Sequence, residues 1–262
     1  MKFEHKKSLG QNFLSDKNLL SAIVADAEIG EDASVLEIGP GLGSLTEQLA
    51  KVAKKVLAIE ADERLIMPLT QKFEDQKNVS FVFNDFMKVG FDEIEQIIGK
   101  NFVVVANLPY YITTPILFRF FTEKNGAQKV VVMVQKEVAE RMSAKSGTKD
   151  YGILSAACQH MGKTKILRIV GRKNFNPVPN VDSALVLVEL SNKSADVGFF
   201  DFLRLCFAMR RKTLSNNLKG KIDQQALFEK LESFGKTQTA RAEELSPQEL
   251  EMLYEISKNY KK

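Results

Sequence analysis

The chain has 262 residues with a formal net charge of +4, a length that suits one large domain and a small one. No apolar run approaches a membrane span, and the basic N-terminus lacks the apolar core of a secretory signal, so we expect no membrane contact. Its two cysteines, Cys158 and Cys206, stand apart in apolar surroundings, which indicates a cytoplasmic protein with reduced thiols and no metal cluster.

Short apolar strands alternate with helical segments in the first part of the chain. A helical stripe over residues 17–29 precedes a strand at 34–38 and a Gly-rich loop, after which Ser44 and Glu47 predict the capping box of a helix with Leu45, Leu49 and Val52 on its apolar face. Further strands are expected at 55–60, 79–85, 102–106 and 130–134, the last followed by a charged helix through Arg141. This alternation predicts an α/β fold, a mostly parallel sheet with helices on both faces.

The pattern changes towards the end of the chain. Residues 165–170 and 184–190 are typical of strands with no helix between them, which predicts an antiparallel hairpin ending a seven-stranded sheet. A polar segment at 191–198 indicates a linker. Beyond it the spacing is helical, with Gly235 as one stop signal and Ser246-Pro247 with Glu249 opening the last helix. We therefore expect an α/β domain over 1–192 and a small all-α domain over 198–262.

Asn107-Leu108-Pro109-Tyr110 directly follows a buried strand, at the edge where open α/β sheets bind ligands. The Asn107 amide offers an acceptor beside a donor, which suits adenine. Pro109 fixes the backbone so that the Leu108 carbonyl can face the same amine, and Tyr110 offers a stacking surface. Taken alone, the tetrapeptide is equally compatible with a strand-ending turn and an incidental tyrosine.

Polar or glycine residues end three other strands as well. Gly39-x-Gly41-x-Gly43 allows the backbone to approach a ligand closely. However, Ser44 stands where the dinucleotide fingerprint requires Gly or Ala, and Pro40 lacks the backbone N–H that would donate a hydrogen bond to a phosphate. Glu60 ends the second strand, where an acid holds ribose hydroxyls, and Asp85 ends the third, where it can accept from an adenine amine. The set favours S-adenosylmethionine over a nicotinamide dinucleotide.

A basic stretch lies between residues 202 and 221, where no acidic residue occurs. Such a stretch is either a surface that contacts phosphates or a solvated helix face. We favour nucleic acid as its partner. Its basic members are Arg204, Arg210, Arg211, Lys212, Lys219 and Lys221.

Four segments together resemble the ribosomal RNA adenine N6-dimethyltransferases: residues 11–14, 37–43, 175–183 and 210–218. The resemblance covers essentially the whole chain and implies a Rossmann-like class I methyltransferase domain. It also implies roles for particular residues. Asn12, Leu14, Gly39, Gly41, Glu60, Asp85 and Asn107 would bind the cofactor, Phe175 would enclose the target base with Asn107, Leu108, Pro109 and Tyr110, and Arg210, Arg211, Lys212, Asn216, Asn217 and Lys219 would bind RNA.

The activity that the resemblance implies is dimethylation of two adjacent adenosines near the 3′ end of 16S rRNA. The partner would be a small ribosomal subunit precursor, and the enzyme would act as a monomer without a metal. The alternatives are a 23S rRNA dimethyltransferase of the macrolide-resistance type, a ribosome-assembly factor whose binding matters more than its catalysis, and a DNA adenine methyltransferase. One position departs from the family: Tyr111 stands where Asn is usual, and we expect it to support the loop.

Overall fold

The computed structural model describes residues 13–14, 16–191 and 196–260. Strands and helices alternate through most of the chain, and three-residue 3-10 turns link some of them. The strands are β1 (Phe13–Leu14), β2 (Ser34–Ile38), β3 (Lys55–Glu60), β4 (Val79–Phe83), β5 (Phe102–Asn107), β6 (Ala127–Gln135), β7 (Thr164–Val170), β8 (Phe175–Asn176) and β9 (Ser183–Glu189). The helices are α1 (Lys17–Asp26), α2 (Ser44–Leu49), α3 (Ile66–Lys72), α4 (Phe91–Ile98), α5 (Thr113–Thr122), α6 (Lys136–Ser143), α7 (Ile153–Met161), α8 (Val197–Cys206), α9 (Leu214–Asn217), α10 (Gln224–Ser233) and α11 (Pro247–Lys258).

Seven strands form one sheet in the order β4-β3-β2-β5-β6-β9-β7. Strands β2 to β6 pair in parallel, whereas β9 runs antiparallel to both of its neighbours. The predicted mostly parallel sheet with a terminal hairpin is confirmed, because β7 and β9 pair as that hairpin. A separate two-stranded ribbon joins β1 to β8.

The central strands are buried on both faces, as their continuous apolar runs require. In β5 the side chains from Phe102 to Ala106 are at most 4% exposed. Helix α1 contributes Leu20, Ile23 and Val24 to the same core, which also contains Val103 and Val131. This packing holds the central strands rigidly, so their ends are well placed to carry functional side chains.

Pairing in register brings the carboxyl ends of β2, β3 and β4 to one edge. Ile38 lies opposite Ile59, and Glu60 lies opposite Phe83. The Gly39 amide continues the β2 ladder by donating to the Ile59 carbonyl at 2.9 Å. Residues that follow these strands therefore lie beside one another, as the sequence predicted for a ligand-binding edge.

The predicted capping box at Ser44 is wrong. Gly43, with φ +74°, caps the helix, and Ser44 is already its first residue, with no side-chain bond to the cap. Glu47 forms an ion pair with Lys72 at 3.3 Å instead of reaching back to the cap. Helix α2 ends at Leu49, so Val52 lies beyond it and is exposed. The left-handed conformation available to glycine outweighs the Ser-x-x-Glu pattern here.

The contacts divide the chain into two compact units. The first comprises residues 1–139 and 163–193, and the second comprises 140–162 and 194–262. The expected division at 192 and 198 differs by the segment 140–162, because helix α7 packs against α8 and α11. Ala156, Ala157 and Cys158 give α7 a buried face that joins the helical core.

The helical unit confirms the predicted last helix. Ser246 accepts a hydrogen bond from the Glu249 amide at 3.2 Å, and Glu249 accepts one from the Ser246 amide at 2.7 Å. These reciprocal bonds form the predicted capping box, and Leu250 and Leu253 are buried. Within the described ranges, none of the helices has the length and apolar character to cross a membrane.

Candidate active site

A cavity of about 240 Å³ opens at the carboxyl edge of the sheet, within the first unit. Its lining includes the residues that were predicted from the sequence to lie at or just after successive strand ends. They are Gly39, Gly41, Glu60, Asp85, Asn107, Leu108, Pro109 and Tyr110. A smaller adjoining pocket is lined by Leu14, Glu37, Gly39 and Asn107 among others. Asn107 therefore borders both spaces.

The Gly-rich loop depends on glycine at two positions. Gly41 has φ +58°, and a Cβ there would lie 2.4 Å from the Phe13 ring. Gly43 has φ +74°, and its Cβ would lie 2.6 Å from the Phe73 ring. At both positions, the left-handed backbone conformation and the lack of space exclude a side chain. The loop therefore packs closely against the Phe13 and Phe73 rings, and its Gly39 and Gly41 line the cavity.

Glu60 is held at the end of β3 by backbone amides. Its Oε2 accepts from the Gly41 amide at 3.0 Å, and its Oε1 accepts from the Asp62 amide at 2.8 Å. Burial raises the pKa of this carboxyl, and the amide hydrogen bonds oppose that rise. The carboxylate thus joins the Gly-rich loop to the residues after β3 and faces the cavity.

Asp85 caps the short turn that follows β4. Its Oδ1 accepts from the Met87 amide at 2.9 Å and starts the 3-10 turn Phe86–Lys88. The predicted strand over 79–85 ends at Phe83, because Asp85 leaves the ladder to make this cap. Both Asp85 and Phe86 line the cavity.

The tetrapeptide links β5 to α5. The Ile112 amide donates to the Pro109 carbonyl at 3.1 Å, which closes the turn. The Tyr110 hydroxyl lies 2.8 Å from the buried Ser183 hydroxyl, so β9 fixes the direction of the ring. Burial raises the pKa of Tyr110, and the phenol therefore stays neutral at physiological pH.

Two aromatic residues lie elsewhere than the sequence suggested. Phe175 is 2% exposed and packs in the core with Leu14 and Leu185, away from the cavity lining. Pairing of β8 with β1 turns it inwards. Tyr111 is 62% exposed at the cavity rim, so it does not support the loop by packing. Pro109 and Tyr110 supply that support instead.

The predicted RNA-binding segment lies in the helical unit, mostly in turns. Arg210 pairs with Glu243 at 3.1 Å and donates to the Lys149 and Tyr151 carbonyls. Asn217 donates to the Cys206 and Met209 carbonyls, which ties α8 to α9, and Asn216 bonds Thr213. The exposed members of the segment are Arg210, Arg211, Lys212, Asn216 and Lys219.

Several residues that line the cavity were not predicted from the sequence, and one predicted cofactor residue cannot be placed. Asn12 lies outside the described residues. Phe13 lines both spaces, and its place within Gln11-Asn12-Phe13-Leu14 was the available signal. Phe86 carried no signal except its position after Asp85. No group of three His, Cys, Asp or Glu side chains in the described part of the chain could hold a metal ion.

Glu37 is the least expected member of the site. It is the penultimate residue of β2, is 1% exposed, and lines the smaller pocket. Its Oε2 atom has no hydrogen-bond partner among the described residues. Burial raises the pKa of this carboxyl to about 8, and Thr46 and Lys72 oppose the rise only partly. A buried, unsatisfied acid costs free energy, so this pocket favours a cationic or hydrogen-bond-donating ligand group.

Comparison with known proteins gives a consistent result over nearly the whole chain. The family model described as ribosomal RNA adenine dimethylase matches residues 2–260. The Ribosomal RNA small subunit methyltransferase A of Bacillus thuringiensis (strain Al Hakam) is 45% identical, covering 96% of this chain and 90% of that protein. The protein of the same name from Bacillus mycoides (strain KBAB4) has the same identity and coverage.

Two solved structures are similar as well. A dimethyladenosine transferase from Plasmodium falciparum has a TM-score of 0.78 and 27% identity, covering 92% of this chain and 95% of that chain. The 23S rRNA methyltransferase ErmE has a TM-score of 0.72 and 26% identity, covering 95% of this chain and all of that chain. With its strand-end cavity and these matches, the chain belongs to the ribosomal RNA adenine dimethylase family.

Proposed function

We propose that this protein uses S-adenosylmethionine to dimethylate the N6 atoms of two adjacent adenosines in the 3′-terminal hairpin of 16S rRNA. The observation that carries the proposal is the convergence of Gly41, Glu60, Asp85 and Asn107 on one cavity in a member of this family. The relatives that are 45% identical are named as small-subunit methyltransferases, which favours that rRNA over the large-subunit one.

The residues present fit the cofactor. Glu60 offers carboxylate oxygens for ribose hydroxyls, and Asp85 can accept from the adenine amine. Gly39 and Gly41 let the chain approach closely, and the unsatisfied oxygen of Glu37 suits the ammonium group of the methionine portion. When bound, S-adenosylmethionine supplies a methyl group that its sulfonium charge makes electrophilic.

The tetrapeptide would act on the target amine. The lone pair of adenine N6 is delocalised into the ring, so the nitrogen is a poor nucleophile. The Asn107 amide oxygen and the Leu108 carbonyl would accept its two hydrogens and favour a tetrahedral nitrogen with an available lone pair. Tyr110, oriented by Ser183, would stack on the base and contribute about 1–3 kcal/mol. A second stack by Phe175 would require its ring to leave the core when RNA binds, because it is buried away from the cavity.

The rRNA preference can be tested directly. We expect the purified protein to transfer labelled methyl groups to small ribosomal subunits that lack the modification, and mass spectrometry of digested RNA should find N6,N6-dimethyladenosine. Naked 23S rRNA serves as the competing substrate. Preferential modification of 23S rRNA would favour the macrolide-resistance type of activity, and binding to small subunits without methyl transfer would favour a pure assembly factor.

Glu37 gives the apo protein a specific pH dependence. Burial raises the pKa of its carboxyl from the usual 4.5 to about 8. Its contribution to the free energy of unfolding is therefore fully present below pH 4.5 and is lost as the pH rises through about 8. We therefore expect Glu37→Gln to raise the free energy of unfolding of the apo protein more at pH 8 than at pH 5.5, as measured by urea titration. Glu31→Gln, at an exposed position, is the control. Equal effects of Glu37→Gln at the two pH values would contradict this assignment.

The basic segment can be tested without disturbing the helical unit. Because Arg210 is tied to Glu243 and two carbonyls, we choose the exposed Arg211 and Lys212. The double change to Ala should weaken RNA binding and flatten the plot of log affinity against log salt by about 0.7–0.9 per lost phosphate contact. Lys77→Ala with Lys124→Ala is the control for net charge. An unchanged salt slope would exclude Arg211 and Lys212 as phosphate contacts.

The proposed activity also implies a cellular location, a role in ribosome biogenesis and further RNA contacts. Ribosomal RNA maturation would place the enzyme in the cytoplasm and give it a role in ribosome biogenesis. Asn216 and Lys219 would contact RNA through their exposed side chains. Asn217 has its amide nitrogen bonded to two carbonyls and its Oδ1 buried, so it would support the RNA-binding segment by tying α8 to α9. An Asn107 variant that supports subunit assembly without methyl transfer would separate binding from catalysis.

A further inference from the structure

We propose that Arg119 is a positioning residue that sets the place of Asp85 and Phe86 for the adenine ring of the cofactor. The inference rests on the proposed roles of the cavity residues and adds to them a side chain that does not line the cavity. It concerns cofactor binding alone and does not depend on which RNA is methylated.

Arg119 is a buried cation in the middle of α5. It is 7% exposed, although arginine is rarely buried unless all of its donors are used. Its Nη1 donates to the Phe86 carbonyl, and its Nη2 donates to the Val89 carbonyl at 2.6 Å. Its Nε donates to Glu123 at 3.1 Å. Two of its three nitrogens therefore hold the backbone of the turn that begins at Asp85.

The aromatic side chains of that turn and of α4 enclose the same guanidinium. The Arg119 Cζ atom lies 4.7 Å from the ring centroids of both Phe86 and Phe91. The Phe86 ring also stacks against Phe120 of α5, with centroids 5.6 Å apart. Arg119 thus holds both the backbone carbonyl and the ring of Phe86. Phe86 in turn lines the cavity next to Asp85.

Helix α5 connects this turn to the catalytic tetrapeptide. It begins at Thr113, just after Tyr110 and Tyr111, and Ile116 on its first turns lines the cavity. Because Arg119 bonds the Asp85 turn to this helix, the adenine side and the target-base side of the cavity share one rigid support. A planar fork that reaches two carbonyls at once is a property of arginine that lysine lacks.

The test measures S-adenosylmethionine affinity by calorimetry in the full chain, in a double-mutant cycle with Asp85→Ala. We expect Arg119→Lys to weaken binding about tenfold in the otherwise unchanged protein, because lysine keeps the charge but cannot reach the Phe86 and Val89 carbonyls at once. In the Asp85→Ala background the same change should weaken binding by a smaller factor, about threefold, because Asp85 is one of the two residues that Arg119 positions and Phe86 remains. Arg204→Lys, at an exposed ion pair of α8, is the control.

Two results would overturn the proposal. One is an Arg119→Lys protein that binds the cofactor as tightly as the unchanged chain. The other is an equal loss of affinity in both backgrounds, which is the result of a purely structural role. Circular dichroism verifies folding of each variant, and Arg119→Met is a second variant if the lysine protein does not fold. Since no RNA is used, failure here is distinct from failure of the rRNA assignment.

Discussion

Asn107→Ala should lower the rate of methyl transfer about 10²–10³-fold, the usual effect of removing one preorganised polar group from a transition state. The reason is that the Ala side chain cannot accept a hydrogen from the target N6, so the nitrogen lone pair stays delocalised. Cofactor affinity should fall only a few-fold, although Asn107 borders both spaces of the site. Single-turnover transfer from labelled S-adenosylmethionine to small-subunit rRNA measures the first quantity, and calorimetry measures the second.

The control is Asn259→Ala, at an exposed position beyond the last helix, which should change neither quantity. A loss of equal size in transfer rate and cofactor affinity would contradict the division of roles, because Asn107 would then act as a cofactor ligand only. Full transfer by the Ala variant would remove Asn107 from the chemistry altogether.

Glu60→Gln should weaken S-adenosylmethionine binding about 10–100-fold, the effect of losing about 1.5–3 kcal/mol of charge-assisted hydrogen bonding. In the structure both carboxylate oxygens accept backbone amides, one from Gly41 and one from Asp62. A glutamine amide would direct its NH₂ group at one of these donors, so the Gly-rich loop would lose its support as well. Calorimetric titration with the cofactor measures the loss.

Glu63→Gln provides the matched control, because Glu63 is exposed in the turn that follows. The transfer rate of the Glu60 variant at saturating cofactor should remain within a few-fold of the unchanged chain, since Glu60 holds the cofactor rather than the target amine. An unchanged cofactor affinity would mean that ribose does not lie beside Glu60.

The positions of Glu60, Asp85 and Asn107 could be predicted because each lies at the end of an apolar strand or just after it, and parallel strands end at one edge. The same reasoning gave the terminal hairpin of β7 and β9, whose strands have no helix between them. These conclusions need only the local alternation of apolar runs and polar ends. Periodicity also identified the last helix, where Ser246 and Glu249 form their capping box.

Other features depend on contacts between distant parts of the chain. Ser44 has a capping pattern, but the left-handed Gly43 starts the helix one residue earlier than that pattern requires. Arg119 resembles an ordinary helix residue in sequence, and only its bonds to Phe86 and Val89, 33 and 30 residues away, distinguish it. Phe175 occurs in a motif that suggested base contact, yet its strand pairs with Phe13–Leu14 and turns it into the core. No local pattern carries such information.

The most direct measurement is a crystal structure of the protein with S-adenosylhomocysteine, the stable product of the cofactor. We expect its ribose hydroxyls beside Glu60, its adenine between Asp85 and Phe86, and its sulfur directed at Asn107. A ligand bound outside the strand-end cavity, or with its sulfur directed away from Asn107, would contradict the account.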